Sequence, residues 1–329
     1  MVEDSRGAST VVGVLLLVGV AVVVGGVVAV GALAFLDGIG APTANADFTY
    51  EQTPAGLRMT PQAISTGVTV QLNGRDVATF DPDSAGQSVL LPTAPGDRIT
   101  VVSRDGERSV LVDRTVDDRS EVGDFVAYYT FEAGSGDTLV DRSGNGNNGT
   151  LSDYDGGSGP QWTSDSLSFD GRNDYVDVTG LEAETDVEEF TVAVAFTQRS
   201  VGGTSQLVEH YGGGNEWYLE TDTDGTDYTV DYAVNNEDGD IVNTGTRYPT
   251  GERQVVVGTF DGSTYELFVD GETVAEGTYD SDVEMGNLVV GADAPNADIQ
   301  YLDGEIHEIR LYYTAFEGEE VGAITNAMG

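Results

Sequence analysis

Thr259-Phe260-Asp261-Gly262-Ser263-Thr264-Tyr265-Glu266-Leu267-Phe268-Val269-Asp270-Gly271 holds the pattern on which the fold turns. Asp261-Gly262 and Asp270-Gly271 are hairpin signals, because aspartate and glycine tolerate the positive φ that tight turns demand. Between them Tyr265 to Val269 alternates, with one apolar and one mixed face, which is the period of a strand. Working outward, residues 125–316 repeat this unit, with further turn signals at Asp170-Gly171, Asp238-Gly239 and Asp303-Gly304. No helix-length periodic segment interrupts them before Glu319 to Ala327. Short strands separated by such turns predict two packed antiparallel sheets.

Upstream, Phe48-Thr49-Tyr50, Val68 to Leu72, Ile99 to Val102 and Val110-Leu111-Val112 also read as strands, with turn signals at Asn73-Gly74 and Asp105-Gly106. Residues 47–116 are therefore expected to form a small antiparallel sheet. The polar, unpatterned run around Val116 to Glu121 makes 117–123 a linker, and 124–329 the larger domain with its short C-terminal helix.

At the other end, Val11 to Leu36 runs 26 residues without a charge. At 1.5 Å per residue that is enough to cross a bilayer core of about 30 Å. A secretory signal is the competing reading, since Ala44-Asn45-Ala46 looks like a cleavage site. Against it, the apolar stretch is long and its flank carries Glu3, Asp4 and one Arg6 rather than a basic cluster. Ala21, Gly25 and Ala29 place small residues on one helix face, where another helix can approach. Ser5-Arg6-Gly7-Ala8-Ser9-Thr10-Val11-Val12 before the run resembles the start of haloarchaeal type IV pilins and archaellins. That resemblance implies a leader of residues 1–7, cleavage between Gly7 and Ala8, a helix over 8–36 and a linker over 37–46. It also implies contact with other pilin subunits through the helix. Thr10 stands where those pilins usually carry proline, and Val12 where bacterial pilins place a carboxylate.

Composition narrows the partners. Aspartate and glutamate number 57 against 14 basic residues, all arginine, for a formal net charge of −43. Such self-repulsion destabilises a compact chain in dilute buffer and fades in molar salt, where the Debye length is about 3 Å. The Val-, Thr-, Tyr- and Phe-rich runs argue for a folded, halophilic protein rather than an acidic tail. Nucleic acid is excluded as a partner, because phosphate binding needs clustered cations. With no cysteine there is no disulfide or thiol chemistry, and His210 and His307 are too scattered for a zinc site.

Four ordered segments then carry a second resemblance. They are Tyr128 to Glu132 with Asp141-Arg142-Ser143-Gly144-Asn145-Gly146-Asn147-Asn148-Gly149, Ser168 to Gly171 with Asp174-Tyr175-Val176, the quoted 259–271 stretch, and Leu302 to Tyr312. Together they resemble the LamG-like concanavalin A-type lectin/glucanase domains. The chain is thus expected to be mainly β: a transmembrane helix, a small antiparallel β domain, then a two-sheet jelly-roll sandwich. The resemblance further implies a calcium ion, with matching oxygens on Asp141, Asn145, Asp170 and Asp303. It also implies a glycan or glycoprotein ligand, for which Tyr211, Tyr154 and Trp162 are the stacking candidates. Trp217, in a strand, reads as core. Asn148-Gly149-Thr150 is a glycosylation sequon. Glucanases of this superfamily place paired carboxylates on one strand, and the nearest segment here is Glu305-Ile306-His307-Glu308. Its glutamates fall on opposite faces, so no enzyme activity is expected.

The expected function is a non-enzymatic, pilin-like surface subunit. Its N-terminal helix sits in the cell membrane or a pilus, and its C-terminal domains are extracellular and adhesive. A monomeric membrane-anchored lectin and a purely structural sandwich are the alternatives.

Overall fold

The computed structural model describes residues 45–104, 108–117, 119–131, 134–181, 184–200, 202–211, 217–223, 226–234, 241–279, 283–293 and 300–329. The leader, the apolar helix with its Gly7–Ala8 junction, the linker as far as residue 44, and the Asp105-Gly106 and Asp238-Gly239 turns lie outside them. Among the described residues no helix is long and apolar enough to cross a membrane. The described residues all fall within one compact unit.

Two antiparallel sheets dominate. In space the nine-stranded sheet runs Ile241–Asn243, Asp227–Val234, Trp217–Thr223, Ser205–His210, Leu288–Val290, Asp174–Val178, Gly149–Asp153 and Thr138–Leu139, and Tyr248–Pro249 pairs with the second of these. The eight-stranded sheet runs Gln161–Trp162, Leu167–Asp170, Asp303–Tyr312, Phe190–Gln198, Arg253–Phe260, Thr264–Val269 and Glu272–Thr278, with Phe125–Thr130 beside Asp303–Tyr312. Between them lies a core of Phe190, Phe196, Trp217, Tyr228, Tyr232, Tyr265 and Leu267, all at most 1% exposed. Trp217 packs with its ring tilted against Phe190 at 5.1 Å between centroids, in the core as its strand position implied.

Both faces of the eight-stranded sheet are buried, which the alternation at 265–269 did not announce. Val192, Val194 and Phe196 face the nine-stranded sheet. Ala193 and Ala195, with Val255, Val257 and Phe268, face a second core shared with the N-terminal β region and the Gly318–Met328 helix. The continuous apolar runs Phe190 to Phe196 and Val255 to Val257 are the sequence trace of that double burial.

Residues 46–115 form seven strands in two sheets rather than one, in the orders Ala46–Thr53, Gly56–Ile64, Val89–Leu91 and Arg75–Phe80, Val68–Leu72, Arg98–Ser103, Val110–Thr115. Asn73 and Gly74, like Asp270 and Gly271, have positive φ at both positions, the geometry of the mirror-image hairpin turn. Residues Arg119–Glu121 form a short 3-10 turn leading into the sandwich. Asp303-Gly304 is not a turn: both residues lie in the Asp303–Tyr312 strand. A Cβ on Gly304 would stand 2.6 Å from the Thr197 carbonyl, so this glycine serves close strand packing instead.

Arg310 pins the seam between the N-terminal region and the sandwich. It is 3% exposed. Its Nε donates to Glu308 at 2.5 Å, its Nη1 donates to the Pro92 carbonyl at 2.8 Å, and its guanidinium lies 5.3 Å from the Tyr128 ring centre.

Candidate functional site

One face of the nine-stranded sheet is committed to the core, so a ligand must meet the other. Register decides which side chains share that face, since directly opposed residues project to the same side. One row crosses the sheet as Asp177, Val289, Glu209, Tyr218 and Ala233. The next reads Gln206, Glu220, Asp231 and Asn243, and Asp222 opposite Thr229 begins a third. A bulge between Gln206 and Val208 lets Gln206 and Glu209 look the same way although they stand three positions apart.

Several side chains on this face are buried. Gln206 is 2% exposed, Glu209 3%, Tyr218 6% and Glu220 8%. The Gln206 Nε2 donates to Glu209 Oε2 at 2.8 Å, and its Oε1 is buried without a partner. The Glu220 carboxyl has no protein hydrogen-bond partner among the described residues and keeps some contact with solvent. The Asn243 amide donates to Asp231. Burial, followed by the charges of Asp231, Asp222 and Asp293, pushes Glu220 up to about 8, so it holds its proton at neutral pH. Burial and then Asp222 push Asp231 up to about 6, opposed by hydrogen bonds from Asn243 and Thr229. Burial, then Glu220, Asp231, Glu209 and Asp293, also raise the Tyr218 phenol. The charges bearing on these three groups are all acidic.

The residues expected from sequence fall in several places. Tyr211 borders this face: its hydroxyl donates to Asp177 Oδ1 at 2.6 Å, and its ring packs with Tyr175, Val289, Ala292 and Tyr301. Tyr154 is 42% exposed and follows the Gly149–Asp153 strand. Trp162 lies in the other sheet, where its indole N–H donates to the Gly136 carbonyl at 2.8 Å and its ring packs beside Phe131. The three aromatics do not converge. His210 lies in the Ser205–His210 strand. It is 3% exposed with Nδ1 unpartnered, and burial lowers it to about 4.

The four proposed calcium oxygens do not meet either. Asp170 and Asp303 are paired across two strands, near Arg199 and Ser200. Asp141 sits beside Tyr128, which pairs with Arg310, seven residues along the strand from Asp303 and so about 20 Å away. Asp141 also has no lone pair to spare. Its two oxygens accept from the N–H groups of Tyr128, Ser143 and Asn147 and from the Ser143 hydroxyl, at 2.8–3.1 Å. Asn145 spends its amide on the Phe125 and Val126 carbonyls. The Gly/Asn-rich turn therefore closes on its own hydrogen bonds, and these four residues do not fit a calcium ion. Asn148 is exposed and accepts the Asp141 N–H at 2.9 Å. The bulge opposite Ala195 and Phe196 puts Glu305 and Glu308 on the same face of their strand, facing Thr197 and Ala195, and not on the opposite faces that the sequence implied; Glu305 lies beside Ser166 and Arg199, and Glu308 is buried against Arg310.

Gln206, Glu209, Tyr218, Glu220 and Asp231 were not singled out from sequence. Their signal is the acid or polar residue at every second position of Tyr218-Glu220-Asp222 and Thr229-Asp231, opposite Trp217-Leu219 and Tyr228-Val230-Tyr232. What they form chemically is a partly buried row of carboxyl and amide groups flanked by tyrosine.

Residues 170–322 match the sequence profile of the family described as the Concanavalin A-like lectin/glucanases superfamily. Those residues are a concanavalin A-like domain. The strands of residues 125–169 complete the same two sheets. No protein of curated function matches the sequence. Among solved structures, domain 4 of AbnA, a GH43 extracellular arabinanase from Geobacillus stearothermophilus in complex with arabinotriose, is 18% identical at a TM-score of 0.49, over 61% of this chain and 98% of that one. The botulinum neurotoxin serotype D binding domain is 11% identical at 0.47, over 62% and 51%. A Trypanosoma rangeli sialidase is 12% identical at 0.48, over 83% and 49%. The chain thus spans about half the length of the last two.

Proposed function

We propose that this is a non-enzymatic cell-surface protein whose sandwich binds glycans or glycoproteins on the outer face of the nine-stranded sheet. The observation that carries the reading is the opposed pair Gln206–Glu220, buried and with the Gln206 carbonyl oxygen lacking a donor, beside the acid Asp231. Sugar hydroxyls would supply those donors, and the rings of Tyr218 and Tyr211 would flank the pyranose. The uncharged Val11 to Leu36 segment supports anchoring in the cell membrane with the sandwich outside. The Arg6-Gly7-Ala8 resemblance supports cleavage after Gly7 and assembly with other pilin subunits.

A glycan array probed in molar KCl with residues 45–329 tests the binding. Signal should fall with Gln206→Ala and with Glu220→Gln while the β circular-dichroism signal of each variant matches that of the parent. Signal that survives both moves the site elsewhere, and no signal from the parent favours a purely structural sandwich. Mass spectrometry of the mature N-terminus tests the anchor: Ala8 supports pilin-type processing, whereas Asp47 would make the helix a discarded signal. Opposed carboxyls such as Glu220 and Asp231 are also what a glycosidase needs. Glycans recovered at unchanged length support the non-enzymatic reading, and new reducing ends that vanish in Glu220→Gln would overturn it.

A further inference from the structure

We propose that this face selects glycans bearing a free, protonated amine, that is, amino sugars. This rests on the glycan reading above and adds the charge of the ligand. Elsewhere in the molecule, buried acids are answered by donors. Asp141 accepts four hydrogen bonds, Glu308 is paired with Arg310, and Asp97 accepts from the Ala94 N–H and the Asn73 amide. The row on the nine-stranded sheet is the exception. Glu220 has no protein hydrogen-bond partner among the described residues, and the Gln206 carbonyl oxygen opposite it is buried and unpartnered. Asp231 stands across the next strand, Glu209 and Asp222 lie in the neighbouring rows, and Asp177 and Asp293 lie at the margins.

An ammonium group offers three N–H donors, no acceptor and one positive charge. That is the complement of the Gln206 oxygen, which lacks a donor, and of Glu220 once it gives up its proton, both set in an acidic field. A metal ion is a poorer match, since among the described residues no three acidic or histidine side chains come together to hold one. A neutral hydroxyl would satisfy the hydrogen bonds but leave the field of Asp231, Asp222 and Asp293, which bears on Glu220, unanswered. Because Glu220 keeps its proton in the free protein at neutral pH, an arriving ammonium should expel that proton to the buffer as the carboxylate forms.

The test is calorimetry on the full chain, in mild detergent and molar KCl near neutral pH, with a glucosamine tetramer and its fully N-acetylated counterpart. Running it in two buffers of different ionisation heat counts the protons released. The free-amine tetramer should bind at least about tenfold tighter and release protons, and Glu220→Gln should abolish the release and most of the preference. Equal or tighter binding of the acetylated tetramer, or binding without proton release, overturns the proposal and leaves the glycan reading standing. Failure of both tetramers to bind sinks the proposal; the array decides the wider reading. Should Glu220→Gln not fold, proton release by the parent protein decides alone.

Discussion

Replacing Glu220 by glutamine should stabilise the protein in alkaline solution and change little in acid. In the folded chain this carboxyl titrates near 8, against 4.5 for an unhindered glutamate, first because it is buried and then because Asp231, Asp222 and Asp293 repel its charge. A raised folded value means that the folded state binds the proton more tightly than the unfolded state. The contribution of Glu220 is then most favourable below pH 4.5 and is lost as pH climbs through 8. At about 1.4 kcal/mol per pH unit the full span is worth up to about 5 kcal/mol. The group is not wholly removed from solvent, so screening cuts this to roughly 2 kcal/mol. Glutamine keeps the volume and carries no charge at any pH. Urea unfolding in molar KCl, run from pH 5 to pH 9, should therefore show Glu220→Gln level with the parent at the acid end and about 2 kcal/mol more stable at the alkaline end. A difference that is flat across that range, or one that favours the parent at high pH, would refute the placement of Glu220 in a buried acidic field.

Three other outcomes follow from the geometry. Arg310→Met should cost about 3–5 kcal/mol in the same unfolding assay, because it strands the buried Glu308 and the Pro92 carbonyl; a cost below about 1 kcal/mol would mean that the seam is wet. His210 is held near 4 rather than 6.5, so its stabilising share is intact above pH 6.5 and drains away as pH falls through 4, by roughly 2–3 kcal/mol after screening. His210→Leu should flatten that part of the acid limb, and an unchanged limb would count against the burial. Finally, circular dichroism of residues 45–329 should show the β signal lost on dilution from molar to ~0.1 M KCl, as the large excess of acids over arginines regains its repulsion; a fold indifferent to salt would refute the halophilic reading.

The fold was largely open to reading from sequence because its determinants are local. Period-two alternation and Asn-Gly or Asp-Gly turns act within a few residues, and Asn73-Gly74 and Asp270-Gly271 adopt the backbone those dipeptides favour. Where a local rule met a long-range demand, the reading failed. Asp303-Gly304 looks like a turn, yet it lies in a strand because Thr197 on the neighbouring strand leaves no room for a Cβ. Likewise Phe268 sits on what reads as the mixed face of its strand, and it is buried only because a second layer, built from residues 46–115 and the C-terminal helix, covers that side.

The candidate site was hidden for a different reason. In a chain this acidic, Glu220 and Asp231 are indistinguishable by type from the many carboxylates that merely keep the surface hydrated. What separates them is two-dimensional information: the register that lines them up across neighbouring strands, the bulge beside Gln206 that turns its amide toward them, and burial without a compensating arginine. Aromatic residues near glycines, by contrast, are conspicuous in a sequence whether or not they are free to bind. Trp162 shows the difference, since its indole N–H is already committed to a backbone carbonyl and its ring to Phe131. The informative question for such a protein is thus which acids the fold has taken out of water without giving them a donor, and here the answer points to one row on one face of one sheet.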